Sequence, residues 1–132
     1  MSIEKNKVRV AAGVLNQTAL DIEGNAQRIL AAISKARSMD VQVLCLPELC
    51  LTGYGSEDMF LSKGFVESAF KKTLELASAS KGMMTCVGLP LLFNDHVYNG
   101  VAVLVDGRIA GFVAKQNLAR DGLHYEPRWF RP

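Results

Sequence analysis

The chain has 132 residues, 49% of them hydrophobic, with 15 basic and 13 acidic side chains and a net charge of +2. Its apolar content suits a single packed domain, and the interspersed charges argue against disorder and against a dedicated nucleic-acid or membrane surface. Its three cysteines, none in C-x-x-C spacing, fit a reducing cytoplasm better than a disulfide framework or a zinc site.

The chain opens with the polar stretch Met1 to Lys7. The apolar run that follows, Val8 to Leu15, is broken by Arg9 and lacks a small-residue cleavage site. Together these argue against a signal peptide, and no stretch reaches membrane-spanning length. Val8, Val10, Ala11, Ala12, Val14 and Leu15 predict a first strand, internal to a sheet and ended by Asn16 and Gln17. From Asp21 to about Ser38, Ile22, Ala26, Ile29, Leu30 and Ile33 share one face, with Gln27, Arg28, Lys35 and Arg37 opposite, which predicts an amphipathic helix covering that sheet. Val41, Val43, Leu44 and Leu46 predict a strand buried on both faces, ended by Pro47. Phe65 to Ala79 repeats the helical pattern through Val66, Ala69, Phe70, Leu74 and Ala77, with Gly82 as a stop. Met84 to Leu89 predicts a strand ended by Pro90. Leu91 to Phe93 either continues it or begins a hairpin arm, and Asn94, Asp95 and His96 form a turn. Val101 to Val105, Asp106-Gly107 and Arg108 to Ala114 carry a type I′ hairpin signature. The order β, α, β, α, β, then antiparallel strands, describes an α/β fold: a mixed sheet with helices on one face, whose other face needs a cover that two helices cannot supply.

Several residues on this frame are candidates for chemistry. Glu48 falls at the carboxyl end of a strand, the edge at which α/β proteins bind ligands. A carboxylate held there against Leu49 and Leu51 is expected to lose water and act as a base; the competing reading is a plain salt bridge. Lys115 also ends a strand, where it is either a surface lysine or part of a site. Glu126 lies among Tyr125, Trp129 and Phe130, and there a buried carboxylate needs a cation such as Lys115 or Arg128, a pairing that can be purely structural. Cys45 and Cys86 read as inert core thiols. Cys50, two residues beyond Glu48 but with no histidine or helix start beside it, is a poor nucleophile. His96 and His124 stand in loops without triad partners, and the glycines form neither G-x-G-x-x-G nor a P-loop.

The motifs recur in a fixed order: L-P-E-L at Leu46 to Leu49, T-G-Y at Thr52 to Tyr54, G-L-P at Gly88 to Pro90, Y-N at Tyr98 and Asn99, D-G at Asp106 and Gly107, Lys115, and E-P-R-W-F at Glu126 to Phe130. In this order they resemble the nitrilase, or carbon-nitrogen hydrolase, superfamily. Within it, Asp21 to Ala26 and Leu51 to Phe60 are most similar to the N-terminal glutaminase domains of glutamine-dependent NAD synthetases. The resemblance implies a four-layer α-β-β-α sandwich of which residues 1–132 are the first part, ending before the nucleophilic cysteine. It implies Glu48 as general base, Lys115 as oxyanion stabiliser, Glu126 as the glutamate beside that lysine, and Tyr54 as a substrate-binding residue. Leu118-Ala119 departs from the Leu-Pro pair usual after the lysine.

The expected activity is hydrolysis of glutamine's amide, the ammonia passing to a synthetase domain. ATP and magnesium belong to that domain, and no cofactor is expected here. A free-standing amidase or nitrilase, and a noncatalytic module that keeps the fold for assembly, stay open as alternatives. A cytoplasmic protein that self-associates through an uncovered sheet face, without nucleic-acid or membrane partners, is the accompanying expectation.

Overall fold

A computed structural model describes residues 7–132. The polar opening from Met1 to Asn6, on which the argument against a leader partly rests, lies outside the described residues. Five strands form one sheet in chain order: β1 (Val10–Ala12), β2 (Val43–Cys45), β3 (Met84–Phe93), β4 (His96–Val105) and β5 (Arg108–Ala114). The first three run parallel, and β3, β4 and β5 are antiparallel. The parallel connections are made by α1 (Ile22–Ser38) and α2 (Lys63–Ala77). Parallel strands need such crossovers, which fold back onto the sheet with one hand, so both helices land on the same face.

Helix α1 follows its predicted bounds because local signals fix both ends. The Asp21 carboxylate caps its start by accepting from the Gly24 N–H at 2.9 Å, and Lys35 and Arg37 lie in its last turn. Ala26, Ile29, Ile33 and Ala36 are buried against the sheet. Helix α2 turns differently from the predicted face: Val66, Ala69, Thr73, Leu76 and Ala77 are buried, whereas Phe70 and Leu74 are exposed. It ends in a 3₁₀ turn at Ser78–Ser80, and Gly82 supplies the left-handed turn that follows, at φ 78°.

Register divides the sheet into two faces. Leu44, Thr85, Val87, Ala102 and Leu104 point to the helices and are buried. The alternate set, which includes Val10, Cys45, Met84 and Cys86, remains partly or largely accessible. Two expectations are corrected by this arrangement. β1 is the edge of the sheet and not internal to it, and it spans three residues, ending well before Asn16. β2 is covered on one face only, Leu44 being buried and Cys45 exposed. Among the described residues this second face is covered only toward the C-terminal end of β2, where Gly88, Pro90 and Asn99 are buried; the part built from β1, β2 and the start of β3 is open.

Pro90 does not end β3, which runs on to Phe93. Opposite it, the Asn99 carbonyl accepts from the Lys115 N–H at 2.8 Å, so the Asn99 backbone faces β5. Pro90 therefore occupies a non-hydrogen-bonded pair, and its missing N–H removes no rung from the ladder. Both hairpin turns match their composition: Asn94 and Asp95 have φ of 46° and 61°, and Asp106 and Gly107 of 48° and 83°, as type I′ turns require.

Close packing at Gly88 links this sheet to the segment after β2. A Cβ there would lie 2.5 Å from both the Leu49 nitrogen and the Pro47 oxygen. Backbone cannot give way as a flexible side chain can. Gly88→Ala is expected to lower stability by about 1–3 kcal/mol, the scale of core overpacking, and to displace the Glu48 segment; urea unfolding and amide shifts of residues 47–51 check both.

Candidate active site

Three charged side chains converge at the end of the sheet where β2 stops. Pro47 carries the chain out of the sheet, and Leu49 adopts a left-handed φ of 49°, uncommon for a bulky residue. The Leu49 carbonyl accepts from the N–H groups of Thr52 and Gly53 at 3.2 and 2.8 Å, which fixes this turn and aims Glu48 outward. Lys115 follows the last residue of β5. Glu126 begins a 3₁₀ turn at Glu126–Arg128, and its backbone N–H donates to the Ala119 carbonyl at 2.9 Å.

A second apolar cluster underlies all three. Leu49, Phe60, Leu118 and Phe130 are buried together, apart from the main core between helices and sheet. Leu49 adjoins Glu48 in the chain, Leu118 comes three residues after Lys115 and Phe130 four after Glu126, so one small core anchors all three segments.

The Lys115 ammonium donates to Glu48 Oε1 at 2.7 Å and lies 3.0 Å from both carboxylate oxygens of Glu126. Glu126 is fully buried and well supplied with donors: Ala119 N–H donates to its Oε2 at 2.7 Å, and the Tyr54 hydroxyl to its Oε1 at 3.0 Å. Asn99 Nδ2 donates to Glu48 Oε1 at 2.5 Å and to Glu126 Oε1 at 3.3 Å. Burial alone would push the Glu126 carboxyl up, but these bonds and the Lys115 charge outweigh it and hold the group below the usual carboxylate range. Burial likewise pulls the Lys115 ammonium down, and its bonds to Glu48 and Glu126 reverse that into a net rise. The Tyr54 phenol is pushed up to about 12, first by burial and then by its bond to Glu126.

These residues border an open pocket of about 530 Å³, with Tyr54, His124, Arg120 and Asp121 along its wall. The structure thus brings Glu48, Lys115, Glu126 and Tyr54 together. It corrects the expected burial of Glu48, whose side chain is 40% exposed, because Leu49 and Leu51 turn into the cores and leave the carboxylate at the rim. Of the two cations considered for Glu126, Lys115 is the partner; Arg128 pairs with Asp58 at 3.0 Å, and Trp129 Nε1 donates to the same carboxylate at 2.9 Å.

The cysteines stand elsewhere. Cys50 is buried with its thiol directed at the Gly88 carbonyl, and burial pushes it up to about 12. Cys45, expected in the core, is exposed on the open sheet face. Asn99, which the sequence presents only within the Y-N motif, is a further site residue; an amide set among the apolar residues of β4 is the one signal that points to it. His124, set aside in the sequence as a loop histidine without triad partners, forms part of the wall, its ring meeting that of Tyr54 edge-on at 5.7 Å. Among the described residues no group of three or more His, Cys, Asp or Glu is arranged to hold a metal ion, and no helix is long and apolar enough to cross a membrane.

Residues 9–131 match the carbon-nitrogen hydrolase family. The chain is 34% identical over 128 residues to the glutamine-dependent NAD(+) synthetase of Dictyostelium discoideum, covering 95% of this chain and 18% of that protein. A solved glutamine-dependent NAD(+) synthetase from Cytophaga hutchinsonii superposes with a TM-score of 0.91 at 43% identity, over 94% of this chain and 21% of that one. An amidase from Nesterenkonia sp. superposes with a TM-score of 0.79 at 20% identity, over 95% and 48%, a likeness of fold alone. The chain therefore spans about a fifth of the synthetases it matches.

The direction of the Glu126 shift sets a pH dependence. A carboxyl lowered in the folded state adds stability that is present above its unfolded value, about 4.3, and is lost as pH falls through the folded one. Glu126→Gln is expected to cost about 1–3 kcal/mol at pH 7 and to flatten the acid side of the stability curve, as thermal unfolding between pH 7 and pH 3 would read.

Proposed function

The chain belongs to the carbon-nitrogen hydrolase family, and from that premise we propose that Glu48, Lys115 and Glu126 form the fixed charged part of a site that hydrolyses a carboxamide. The observation that carries this reading is the Lys115 ammonium held between Glu48 and Glu126 at the rim of a pocket. The amide of glutamine is the proposed substrate, and its ammonia the product used in NAD synthesis. Support for that choice is the 43% identity to a glutamine-dependent NAD(+) synthetase, against 20% for the amidase.

The chemistry follows from the charges. A thiol is mostly protonated at neutral pH, and Glu48, partly accessible at the pocket edge, takes its proton. The thiolate attacks the carboxamide carbon, and the carbonyl electron pair moves onto oxygen. Lys115 would stabilise that oxyanion; a preorganised donor of this kind contributes about 3–4 kcal/mol in well-studied hydrolases. When the intermediate collapses, Glu48 returns the proton to the departing ammonia, leaving a thioester. Water, deprotonated by Glu48, then releases glutamate and restores the thiol. Glu126 holds Lys115 charged and in place. The Tyr54 hydroxyl is committed to Glu126, so its proposed contact with substrate is through the ring.

The thiol in this scheme is a cysteine outside residues 1–132. Cys50 is sealed in the core, and neither Cys45 nor Cys86 borders the pocket. Residues 1–132 are on this reading the first part of the hydrolase domain, and the open sheet face is where the remainder of a four-layer sandwich packs. ATP and magnesium would act in a separate synthetase domain, with no step in this pocket.

Ammonia release from glutamine by the full-length protein tests the proposal. Glu48→Gln is expected to reduce it by about 10²–10⁴-fold, the range for loss of a general base, and the 132-residue chain alone to release none. Equal release by wild type and Glu48→Gln would remove Glu48 from the mechanism, and release by neither above the uncatalysed background would leave the noncatalytic reading standing.

A further inference from the structure

We infer that Asn99 is the positioning residue that fixes which oxygen of Glu48 is free to move protons, an inference that rests on the function proposed above. Asn99 sits in β4 and is 3% exposed. Its side-chain nitrogen faces two carboxylates, Glu48 Oε1 and Glu126 Oε1. Ionised carboxylates only accept, so the amide must turn its NH₂ group toward them, and its two hydrogens provide one for each.

The Lys115 ammonium donates to the same two oxygens, at 2.7 Å for Glu48 and 3.0 Å for Glu126. Two donors and two acceptors therefore alternate around a closed ring. One backbone contact sets both donors side by side, since the Lys115 N–H donates to the Asn99 carbonyl at 2.8 Å. Charge explains why an amide suits this place. Glu48, Glu126 and Lys115 sum to one negative charge; a second cation at position 99 would compete for Glu48, and a third carboxylate would repel both glutamates. Asparagine donates twice and adds no charge.

The consequence falls on Glu48. Its Oε1 is engaged by two donors, while Oε2 accepts no hydrogen bond from the described residues. Held by Lys115 alone, the carboxylate could turn and exchange its oxygens. Gripped by both donors it keeps one orientation, with Oε1 occupied by the ring and Oε2 available to the thiol, the ammonia and the water in turn.

The test compares Asn99→Leu, which removes both donor hydrogens at similar volume, with Asn99→Asp, which is isosteric, in the full-length protein. Two readouts are taken: carboxyl carbon NMR titration of Glu48 and Glu126, and kcat and KM for glutamine against pH. Both variants are expected to move the Glu48 titration and the acid limb of the kcat profile to higher pH. Asn99→Leu is expected to lower kcat by about 10- to 100-fold, the scale of a hydrogen bond to an ionised group, with KM changed by less than about threefold because the lost contact acts in the reaction and not in binding. A variant that melts earlier yet keeps the Glu48 titration and the kcat profile in place would overturn the inference and leave Asn99 a packing residue. If Asn99→Leu does not fold, Asn99→Ala, which also removes both donor hydrogens and adds no charge, decides by the same readings. Should the wild-type protein release no ammonia from glutamine, the proposed function fails, and the carboxyl titrations still decide whether Asn99 controls Glu48.

Discussion

A carboxylate without access to water is the constraint that organises this molecule. Glu126 is fully buried, and an ionised carboxyl in that position is costly unless each oxygen is supplied with donors. Lys115, Tyr54, Asn99 and the Ala119 N–H provide them. Those donors come from β4, from the end of β5, from the turn after β2 and from the loop before Glu126 itself. Satisfying one charge therefore fixes four segments relative to one another, and Glu48 joins the same arrangement at its accessible edge through Lys115.

Apolar packing supports the polar arrangement from below. The main core between helices and sheet sets the strand positions, while the small cluster of Leu49, Phe60, Leu118 and Phe130 fixes the segments beyond the strand ends. Leu49 accepts a left-handed backbone to place its side chain in that cluster, and Gly88 lets β3 approach the Glu48 turn without a side chain between them. Asn25 ties the start of α1 to the same region, its Nδ2 donating to the carbonyls of Thr18 at 2.8 Å and Leu51 at 3.1 Å. Such supports decide whether charged groups hold a reactive geometry or merely lie near one another.

What could be read from the sequence follows how local its cause is. The Asp106-Gly107 hairpin, the capped helix α1 and the departure of the chain at Pro47 all depend on neighbouring residues, and the sequence reveals them. The expected mixed α/β sheet with helices on one face is the observed one for the same reason: two amphipathic crossover helices and short turns limit the ways the strands can connect. Face and register depend on distant partners. In α2 the apolar residues form two overlapping stripes, and periodicity alone does not choose Val66, Ala69, Thr73 and Leu76 over Phe70 and Leu74. Pro90 reads as a strand end because its harmless position depends on the orientation of Asn99, across the ladder. Glu48 and Lys115 were legible as strand-end charges, and their order within the ordered motifs gave reason to join them across 67 positions. Asn99 left a weaker trace, an amide in an apolar strand, whose meaning depends on two carboxylates on other segments.

The central claim is that Lys115 and the buried carboxylate act as one unit, and a double-mutant cycle measures that directly. Unfolding free energies of wild type, Lys115→Met, Glu126→Gln and the double variant are predicted to be non-additive by more than about 1 kcal/mol, as groups in one network are. Additivity within about 0.5 kcal/mol, the behaviour of independent sites, would contradict the account.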